Sequence, residues 1–487
     1  MAGYSFHAKA GRMTQSHPTE LDTTSGQQPS AAEPRLHWIE ADTEQDVRWR
    51  SEAGVAPPKR VVLADDRIPA DSAYHLACEG TALLWAGDYQ NARQLLQAMG
   101  RRIGQMPDRK ARRRAPSAIA KAAASAASAA ARVAGRADAA AAAAISAEMT
   151  AAGASEEAIA AALAEHAAGA ADRAAAAAAS AAAPAPAAKS PSAIPVAAFH
   201  AHRLAQAQRA RTLGNLLIPL DGDYTIPLRR APDVVAACTA VWGPPDGEPS
   251  VVSLRELLGL VGAYEWRRNG VEVGPLGAAR IHPHYGVFSP VRGEYLTLMS
   301  RAPLPDGVEV AFDIGTGTGV VAALLARRGV ARVVATDIDP RALVCAKENL
   351  DRLGFGERVR LEAADLFPQG RAKLIVCNPP WLPGKPASPI ERAIFDPDSR
   401  MLKGFLAGLA DHLAPGGEGW LVMSNFAEHL GLRARGELEA MIEAAGLSVV
   451  AKTEMAPRHP KALDPSDPLH AARVKEVTRL YRLAVRA

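Results

Sequence analysis

The sequence contains few aromatic residues and few cysteines. Only 5% of its 487 residues are Phe, Trp or Tyr, and it has four cysteines, with no Cys-x-x-Cys pair. A disulfide-bonded scaffold is therefore excluded, and the absence of a Gly-x-x repeat excludes collagen. Cysteine spacing favours buried, reduced thiols over disulfides or a metal site. These thiols are Cys78, Cys238, Cys345 and Cys377.

Long apolar segments and a large net charge are also missing. There is no run of 18 or more bulky apolar residues, and the polar first 30 residues lack the apolar segment of a secretory signal. The 56 Lys and Arg residues nearly balance the 52 Asp and Glu residues, which neither requires nor forbids a nucleic-acid partner. We therefore expect a soluble, cytoplasmic protein with no membrane partner.

Composition divides the chain into three parts. Residues 1–34 are rich in Ser, Thr, Gln and Pro, which predicts a disordered tail. Residues 35–275 are predicted to form a smaller mixed N-terminal domain, interrupted at 107–198 by an Ala/Pro-rich, low-complexity insertion. The insertion should be disordered because Ala buries little area. It opens with five basic residues between 109 and 114, for which a solvated linker is favoured over RNA contact.

Hydrophobic periodicity predicts local elements in the N-terminal domain. Val61–Asp66 is predicted as a strand. His75–Met99 is predicted as two helices divided at Gly87 and Asp88, and His202–Leu217 as a further helix.

From residue 276 onward, strands alternate with helices. A hydrophobic strand ends in Asp313 and leads into a glycine loop and a helix. Such a loop lets the backbone approach a ligand closely, and the helix directs its N–H groups at that ligand. The loop positions are Gly315, Thr316, Gly317, Thr318 and Gly319.

Three further strands end in polar residues. The second ends in Asp337, where a carboxylate can accept hydrogen bonds from both hydroxyls of a ribose. Asp339 follows and is predicted to cap a helix that begins at Pro340. The third strand ends in Asp365, with Leu366 beside it, and the fourth runs into Asn378-Pro379-Pro380-Trp381. Parallel strands would place all these residues at one sheet edge, where ligands bind.

Together, the segments DIGTGTG, TDID, ADLF and NPPW resemble those of class I S-adenosylmethionine-dependent methyltransferases. More narrowly, they resemble the small-domain N-methyltransferases with an [NDS]-P-P-[YFW] motif. This group includes protein-glutamine N5-methyltransferases and ribosomal RNA base N-methyltransferases. The resemblance covers about residues 280–487. It implies an α/β fold with a Rossmann-like sheet of seven strands, the last antiparallel, in a domain covering 276–487.

The resemblance also implies roles for individual residues. Positions 315–319 would hold the methionine part of S-adenosylmethionine, Asp337 the ribose and Asp365 the adenine amine, with Leu366 beside the ring. Asn378 would bind the target nitrogen and border the cofactor. Trp381 stands where the family has mostly Tyr or Phe. The expected partner is a macromolecular methyl acceptor, protein or ribosomal RNA, which the N-terminal domain would recognise; no metal is expected.

The NPPW residues suit methylation of a planar nitrogen. An amide or aryl-amine lone pair is delocalised, so the nitrogen is a poor nucleophile. The Asn378 side-chain oxygen and the Pro379 carbonyl can accept its two N–H groups, while Pro380 fixes the backbone and Trp381 stacks on the target. Catalysis would then rest on positioning and electrostatics, without a dedicated side-chain base.

Two other functions stay open at this point. Because GxGxG followed by an acidic residue also binds NAD, a nicotinamide-dependent oxidoreductase is one alternative, although Val320 replaces the last glycine of GxGxxG. The other is a non-catalytic module that binds S-adenosylmethionine or RNA.

Overall fold

The computed structural model describes residues 33–105 except 41, 196–457 and 464–486, and four isolated positions between 142 and 163. The predicted tail and insertion, with its basic cluster, therefore lie almost wholly outside the described residues. The predicted end of the insertion at residue 198 is wrong, because a helix already begins at Val196. That helix begins early because Phe199, in its first turn, is buried in a hydrophobic cluster.

Helices and strands alternate along most of the described chain. The helices are α1 (Ala70–Cys78), α2 (Tyr89–Gln105), α3 (Val196–Gly214), α4 (Val235–Trp242), α5 (Leu254–Asn269), α6 (Glu294–Arg301), α7 (Val320–Arg327), α8 (Pro340–Arg352), α9 (Arg400–His412), α10 (Phe426–His429), α11 (Glu437–Ala444) and α12 (His470–Arg473). The strands are β1 (Arg35–Glu40), β2 (Thr43–Arg50), β3 (Arg60–Ala64), β4 (Thr81–Trp85), β5 (Leu216–Leu220), β6 (Ser250–Ser253), β7 (Val271–Val273), β8 (Ala279–Ile281), β9 (Val310–Ile314), β10 (Arg332–Asp337), β11 (Val359–Ala363), β12 (Ala372–Cys377), β13 (Leu382–Pro383), β14 (Phe395–Asp396), β15 (Leu413–Ser424), β16 (Leu447–Met455) and β17 (Thr478–Val485).

The N-terminal part forms a mixed six-stranded sheet in the order β1-β2-β6-β5-β4-β3. Strands β3, β4 and β5 run parallel, whereas β1 pairs antiparallel with β2 and β5 with β6. Helices α1, α2 and α5 contribute buried apolar side chains to the cluster on one face of this sheet. In the described residues this part is thus a mixed sheet with helices packed on it.

The prediction of two helices over His75–Met99 is wrong at Thr81–Trp85, which form a strand. Strand β4 separates α1 from α2, and all five of its side chains are buried. A short apolar run that is buried on both faces has no alternation, so periodicity cannot distinguish it from a buried helical segment. The glycines that flank the run, Gly80 and Gly87, were the available signal for a strand.

The C-terminal part forms a seven-stranded sheet in the order β11-β10-β9-β12-β15-β17-β16. Strands β9 to β12 and β15 run parallel, and β17 is antiparallel to both of its neighbours. This order is consistent with the Rossmann-like sheet of seven strands, the last antiparallel, that the resemblance implies. Apolar clusters cover both faces of the sheet, which explains why β9 and β12 are almost continuously apolar.

Helix α3 connects the two parts. It is 19 residues long, which corresponds to about 28 Å. Phe199, near its start, packs with Leu382 and Phe395 of the segment that follows NPPW, whereas Leu213, near its end, packs in the N-terminal core. The helix therefore fixes the N-terminal sheet relative to that segment.

The described residues also bear on the thiols and on membrane association. Cys238, Cys345 and Cys377 are buried free thiols, as predicted. Cys78 is exposed, which the prediction missed, because it ends α1 at the surface. Within the ranges described above, no helix combines the length and apolar character needed to cross a membrane.

Candidate active site

Strand register brings the sequence motifs to one sheet edge. Ile314, the last residue of β9, lies opposite Cys377 of β12 on one side and Thr336 of β10 on the other. Asp337 in turn lies opposite Ala363 of β11. The residues that follow these strand ends therefore meet at the carboxyl edge of four adjacent parallel strands.

The glycine loop has the backbone conformation that glycine favours. Gly315, Gly317 and Gly319 have φ angles of +73°, +55° and +78°. The amides of Gly315 and Thr316 both donate to the carbonyl of Thr336, at 2.9 and 2.8 Å. The loop is thereby fixed to the end of β10.

Two of these glycines also lie close to neighbouring side chains. A Cβ atom on Gly315 would lie 2.5 Å from Cε of Met401, at the start of α9. A Cβ atom on Gly319 would lie 3.1 Å from Cβ of Ala346 in α8. Gly319 is not among the residues that line the cleft described below, so its visible role is the packing of α7 on α8.

Asp313 is a buried carboxylate beneath the loop. Its Oδ2 atom accepts hydrogen bonds from Oγ1 of Thr316 at 2.7 Å and from the amide of Ala322 at 3.0 Å. Burial raises the pKa of Asp313 to about 7, because removal from water disfavours the charged form. Thr318, like Thr316, is buried, so the side chains of both threonines point into the protein and not into solvent.

Asp337 connects the glycine loop to the next turn. Its Oδ2 accepts from the amide of Gly317 and its Oδ1 from the amide of Asp339, both at 2.9 Å. Burial raises the pKa of Asp337, while these two backbone donors oppose that rise. Asp339 caps α8 as predicted, since its Oδ1 accepts from the amide of Arg341 and Pro340 is the first helical residue.

Asp365 and Leu366 lie at the end of β11. Asp365 forms an ion pair with Arg400, and both side chains are largely exposed. Leu366 has a φ angle of +80°, and its carbonyl accepts from Oγ1 of Thr336 at 2.6 Å. A Cβ atom on Gly404 would lie 2.5 Å from Cδ1 of Leu366, so the absence of a side chain there lets Leu366 pack on α9.

The NPPW segment follows β12 directly. The indole Nε1 of Trp381 donates to Oδ1 of Asn378 at 3.1 Å. Pro379 is buried, and Pro380 is half-buried like Asn378 and Trp381. The guanidinium carbon of Arg292 lies 5.4 Å from the centre of the Trp381 ring.

All these elements border one cleft of about 2320 Å³. It is lined by the glycine loop from Gly315 to Thr318, by Asp313, Asp337, Asp365 and Leu366, by NPPW, and, on the N-terminal side, by α3. Pockets for small ligands are typically about 300–1,000 Å³. This cleft therefore has room for part of a larger molecule beside a small one.

Sequence reasoning missed one residue that lines the cleft and one that positions its wall. Ile338 lines it with 67% of its surface exposed, immediately after the acidic end of β10. Asp396 accepts from the amides of Met401 and Leu402, which directs the start of α9 toward the glycine loop. An Ile directly after an acidic strand end was a readable signal in the sequence, whereas no sequence motif marks the contacts of Asp396, although they join residues only five and six positions apart.

Residues 278–451 match the family model of the methyltransferase small domain. This part of the chain is therefore similar to methyltransferase small domains. A release factor glutamine methyltransferase of Cereibacter sphaeroides is 38% identical over 123 residues, which are 24% of this chain and 40% of that protein. A ribosomal protein L11 methyltransferase of Pelotomaculum thermopropionicum is 34% identical over 161 residues, covering 33% of this chain and 44% of that protein.

Other relatives also match part of the chain. A tRNA1(Val) (adenine(37)-N6)-methyltransferase of Shewanella loihica is 29% identical over 147 residues, which are 28% of this chain and 60% of that protein. The chain thus spans less than two thirds of each of these curated relatives. Among solved structures, a ribosomal protein L11 methylase from Lactobacillus delbrueckii subsp. bulgaricus aligns with a TM-score of 0.27 at 18% identity, covering 39% of this chain and 74% of that one.

Proposed function

We propose that this chain is an S-adenosylmethionine-dependent N-methyltransferase of the cytoplasm. Its acceptor would be an amide or base amino nitrogen of a macromolecule, with a component of the translation apparatus as the expected class. The observation that carries this proposal is the position of Asn378. The strand pairing of Cys377 with Ile314 brings Asn378 beside the glycine loop, at the border of the cleft.

The residues at this sheet edge fit S-adenosylmethionine. Gly315 and Gly317 have no side chain to obstruct a ligand, and a Cβ atom on Gly315 would collide with Met401. The carboxylates of Asp313, Asp337 and Asp365 line the same end of the cleft. Because Arg400 pairs with Asp365 and burial raises the pKa of Asp313, Asp337 is the carboxylate whose charge would most favour a ligand with a sulfonium and an ammonium group.

Each part of the lining has a role in this proposal. The backbone of the glycine loop would hold the methionine portion, Asp337 the ribose hydroxyls and Asp365 the adenine amine. Leu366 and Ile338 offer apolar surface to the adenine ring. When bound, S-adenosylmethionine supplies a methyl group that is electrophilic because its sulfur is positively charged.

The NPPW residues would prepare the acceptor. Oδ1 of Asn378 has a second lone pair besides the one that accepts from Trp381, and it can accept an N–H of the target nitrogen. The carbonyl of Pro379 can accept the other N–H. These bonds would localise the nitrogen lone pair, and the ring of Trp381 would stack on the planar target.

The proposal is tested first by ligand binding. Calorimetry on the purified protein should show saturable binding of S-adenosylmethionine and none of NAD. A preference for NAD would instead favour the oxidoreductase alternative.

The second test is methyl transfer. Tritiated S-adenosylmethionine and the protein are added to extracts of a strain that lacks it, and protein and RNA are then separated. Label in one fraction identifies the class of acceptor. Binding of S-adenosylmethionine without transfer into either fraction would favour a non-catalytic module.

A further inference from the structure

The indole of Trp381 does more than present a flat ring. Its Nε1–H donates to Oδ1 of Asn378, three residues earlier in the chain, at 3.1 Å. An indole nitrogen can only donate, so its partner must be the oxygen of the amide and not the nitrogen. The contact therefore fixes which way the Asn378 amide faces, a torsion that is otherwise broad and roughly two-fold.

Trp381 is itself held in place by a charged side chain. The guanidinium of Arg292 lies over its ring, at 5.4 Å from the ring centre. Arg292 in turn forms an ion pair at 3.1 Å with Glu476, which is 1% exposed and accepts from the hydroxyl of Ser424 at 2.9 Å. Because Ser424 ends β15, this chain of contacts anchors the indole to the neighbouring strand of the sheet.

The orientation of Asn378 affects how it can act on a nitrogen that carries two N–H groups. Only the oxygen of the Asn378 amide accepts a hydrogen bond. Its NH2 group would repel an N–H of the target nitrogen. If the side chain rotated freely, it would contribute less to the rate, because ordering it during the reaction costs entropy. The Trp381 contact removes that freedom in advance and leaves one lone pair of Oδ1 for the target.

We propose that Trp381 is a positioning residue that sets the amide of Asn378 through its indole N–H. This inference rests on the proposed function. It assigns Trp381 a task that Phe cannot perform, because Phe keeps the stacking face but has no donor.

The first arm of the test observes the hydrogen bond without any acceptor. Spectra of the protein labelled with 15N-tryptophan contain one indole signal for each of its seven tryptophans, and Trp381→Phe identifies the signal of Trp381. Asn378→Ala should move that proton upfield, and Asn378→Asp should move it downfield because a carboxylate is a stronger acceptor. The half-exposed Trp266 in α5 serves as the internal reference, whose signal should not move.

The second arm measures turnover with tritiated S-adenosylmethionine and the methyl-accepting fraction of extracts that lack the protein. Trp381→Phe should lower kcat about tenfold, the effect of one hydrogen bond of about 1.4 kcal/mol. The acceptor KM and the affinity for S-adenosylmethionine should change less than about twofold. Trp266→Phe is the matched control and should leave all three unchanged.

The outcomes separate this inference from the proposed function. The positioning role would be overturned if the indole signal of Trp381 did not shift in Asn378→Ala. It would also be overturned if Trp381→Phe raised KM and left kcat normal. Neither result would contradict methyl transfer itself. A wild-type protein that transfers no methyl to any fraction would overturn the proposed function, and the positioning role with it.

Discussion

Asp337 offers the sharpest test of the proposed cofactor site, because its carboxylate also accepts backbone hydrogen bonds in the absence of ligand. Both oxygens accept from backbone amides, of Gly317 and Asp339, at 2.9 Å. Asp337→Ala removes both acceptors, so the glycine loop and the turn before α8 lose their common anchor. If the same carboxylate also accepts from ribose hydroxyls, the variant should lose cofactor affinity as well as stability.

The size of the binding loss follows from the chemistry of the contact. Hydrogen bonds to a charged group contribute about 1.5–3 kcal/mol, so Asp337→Ala should weaken S-adenosylmethionine binding by about 10-fold to 150-fold. Asp337→Asn keeps one oxygen and should lose less, since one backbone amide retains its acceptor. Titration calorimetry measures both, with circular dichroism to verify folding.

Asp411→Asn provides the matched control. Asp411 lies on the exposed side of α9, in the same domain, and its substitution removes the same charge. Its affinity for S-adenosylmethionine should equal that of the wild type. Unchanged affinity in a folded Asp337→Ala variant would refute the ribose assignment. An equal loss of affinity in Asp411→Asn would show that the effect comes only from the change in net charge.

Three further predictions address the chemistry, the pH dependence and the insertion. Asn378→Ala should lower turnover by about 100-fold or more with cofactor affinity nearly unchanged, because its contact strengthens in the transition state; near-normal turnover in methyl-transfer assays would contradict this. Burial raises the pKa of Asp313 to about 7, whereas the pKa of an Asp in an unfolded chain is about 4. The native state thus binds the extra proton, and the free energy of unfolding should fall as pH rises between these values. Asp313→Asn should flatten that slope in denaturant titrations, and an unaltered slope would contradict it. Deleting residues 107–195, which keeps α3 whole, should leave the thermal transition of the methyltransferase domain nearly unchanged in calorimetry, since an Ala-rich tract buries little area; a large decrease would show that the tract packs onto the domain.

The C-terminal part of the fold could be predicted from sequence because its signals are local. Each strand is an apolar run that ends in a polar residue, and Gly, Pro and Asp mark the turns between strand and helix. Asp339 before Pro340 predicted the start of α8 correctly from two adjacent residues. The meeting of the motifs at one edge followed from the rule that parallel strands end together.

The features that sequence reasoning missed depend on contacts between distant segments. Strand β4 looks like part of a helix, and only its position between β3 and β5 makes it a central strand. The ion pair between Asp365 and Arg400 joins residues 35 positions apart. Even the short-range bond between Trp381 and Asn378 was hidden, because the motif suggests a stacking ring and the indole N–H has no counterpart in Phe.

We also propose that acceptor selectivity resides on the N-terminal side of the cleft. The matched methyltransferase small domain begins at residue 278, but the cleft is lined on its other side by α3. Arg203 of α3 forms an ion pair with Glu391 at 3.0 Å and lies over the ring of Phe395, in the segment after NPPW. On the opposite side, Glu52 forms an ion pair with Arg341 of α8 at 3.1 Å. Because the N-terminal part contacts both walls, an acceptor that reaches Asn378 passes beside it, and substitutions along α3 should alter acceptor KM before they alter cofactor affinity.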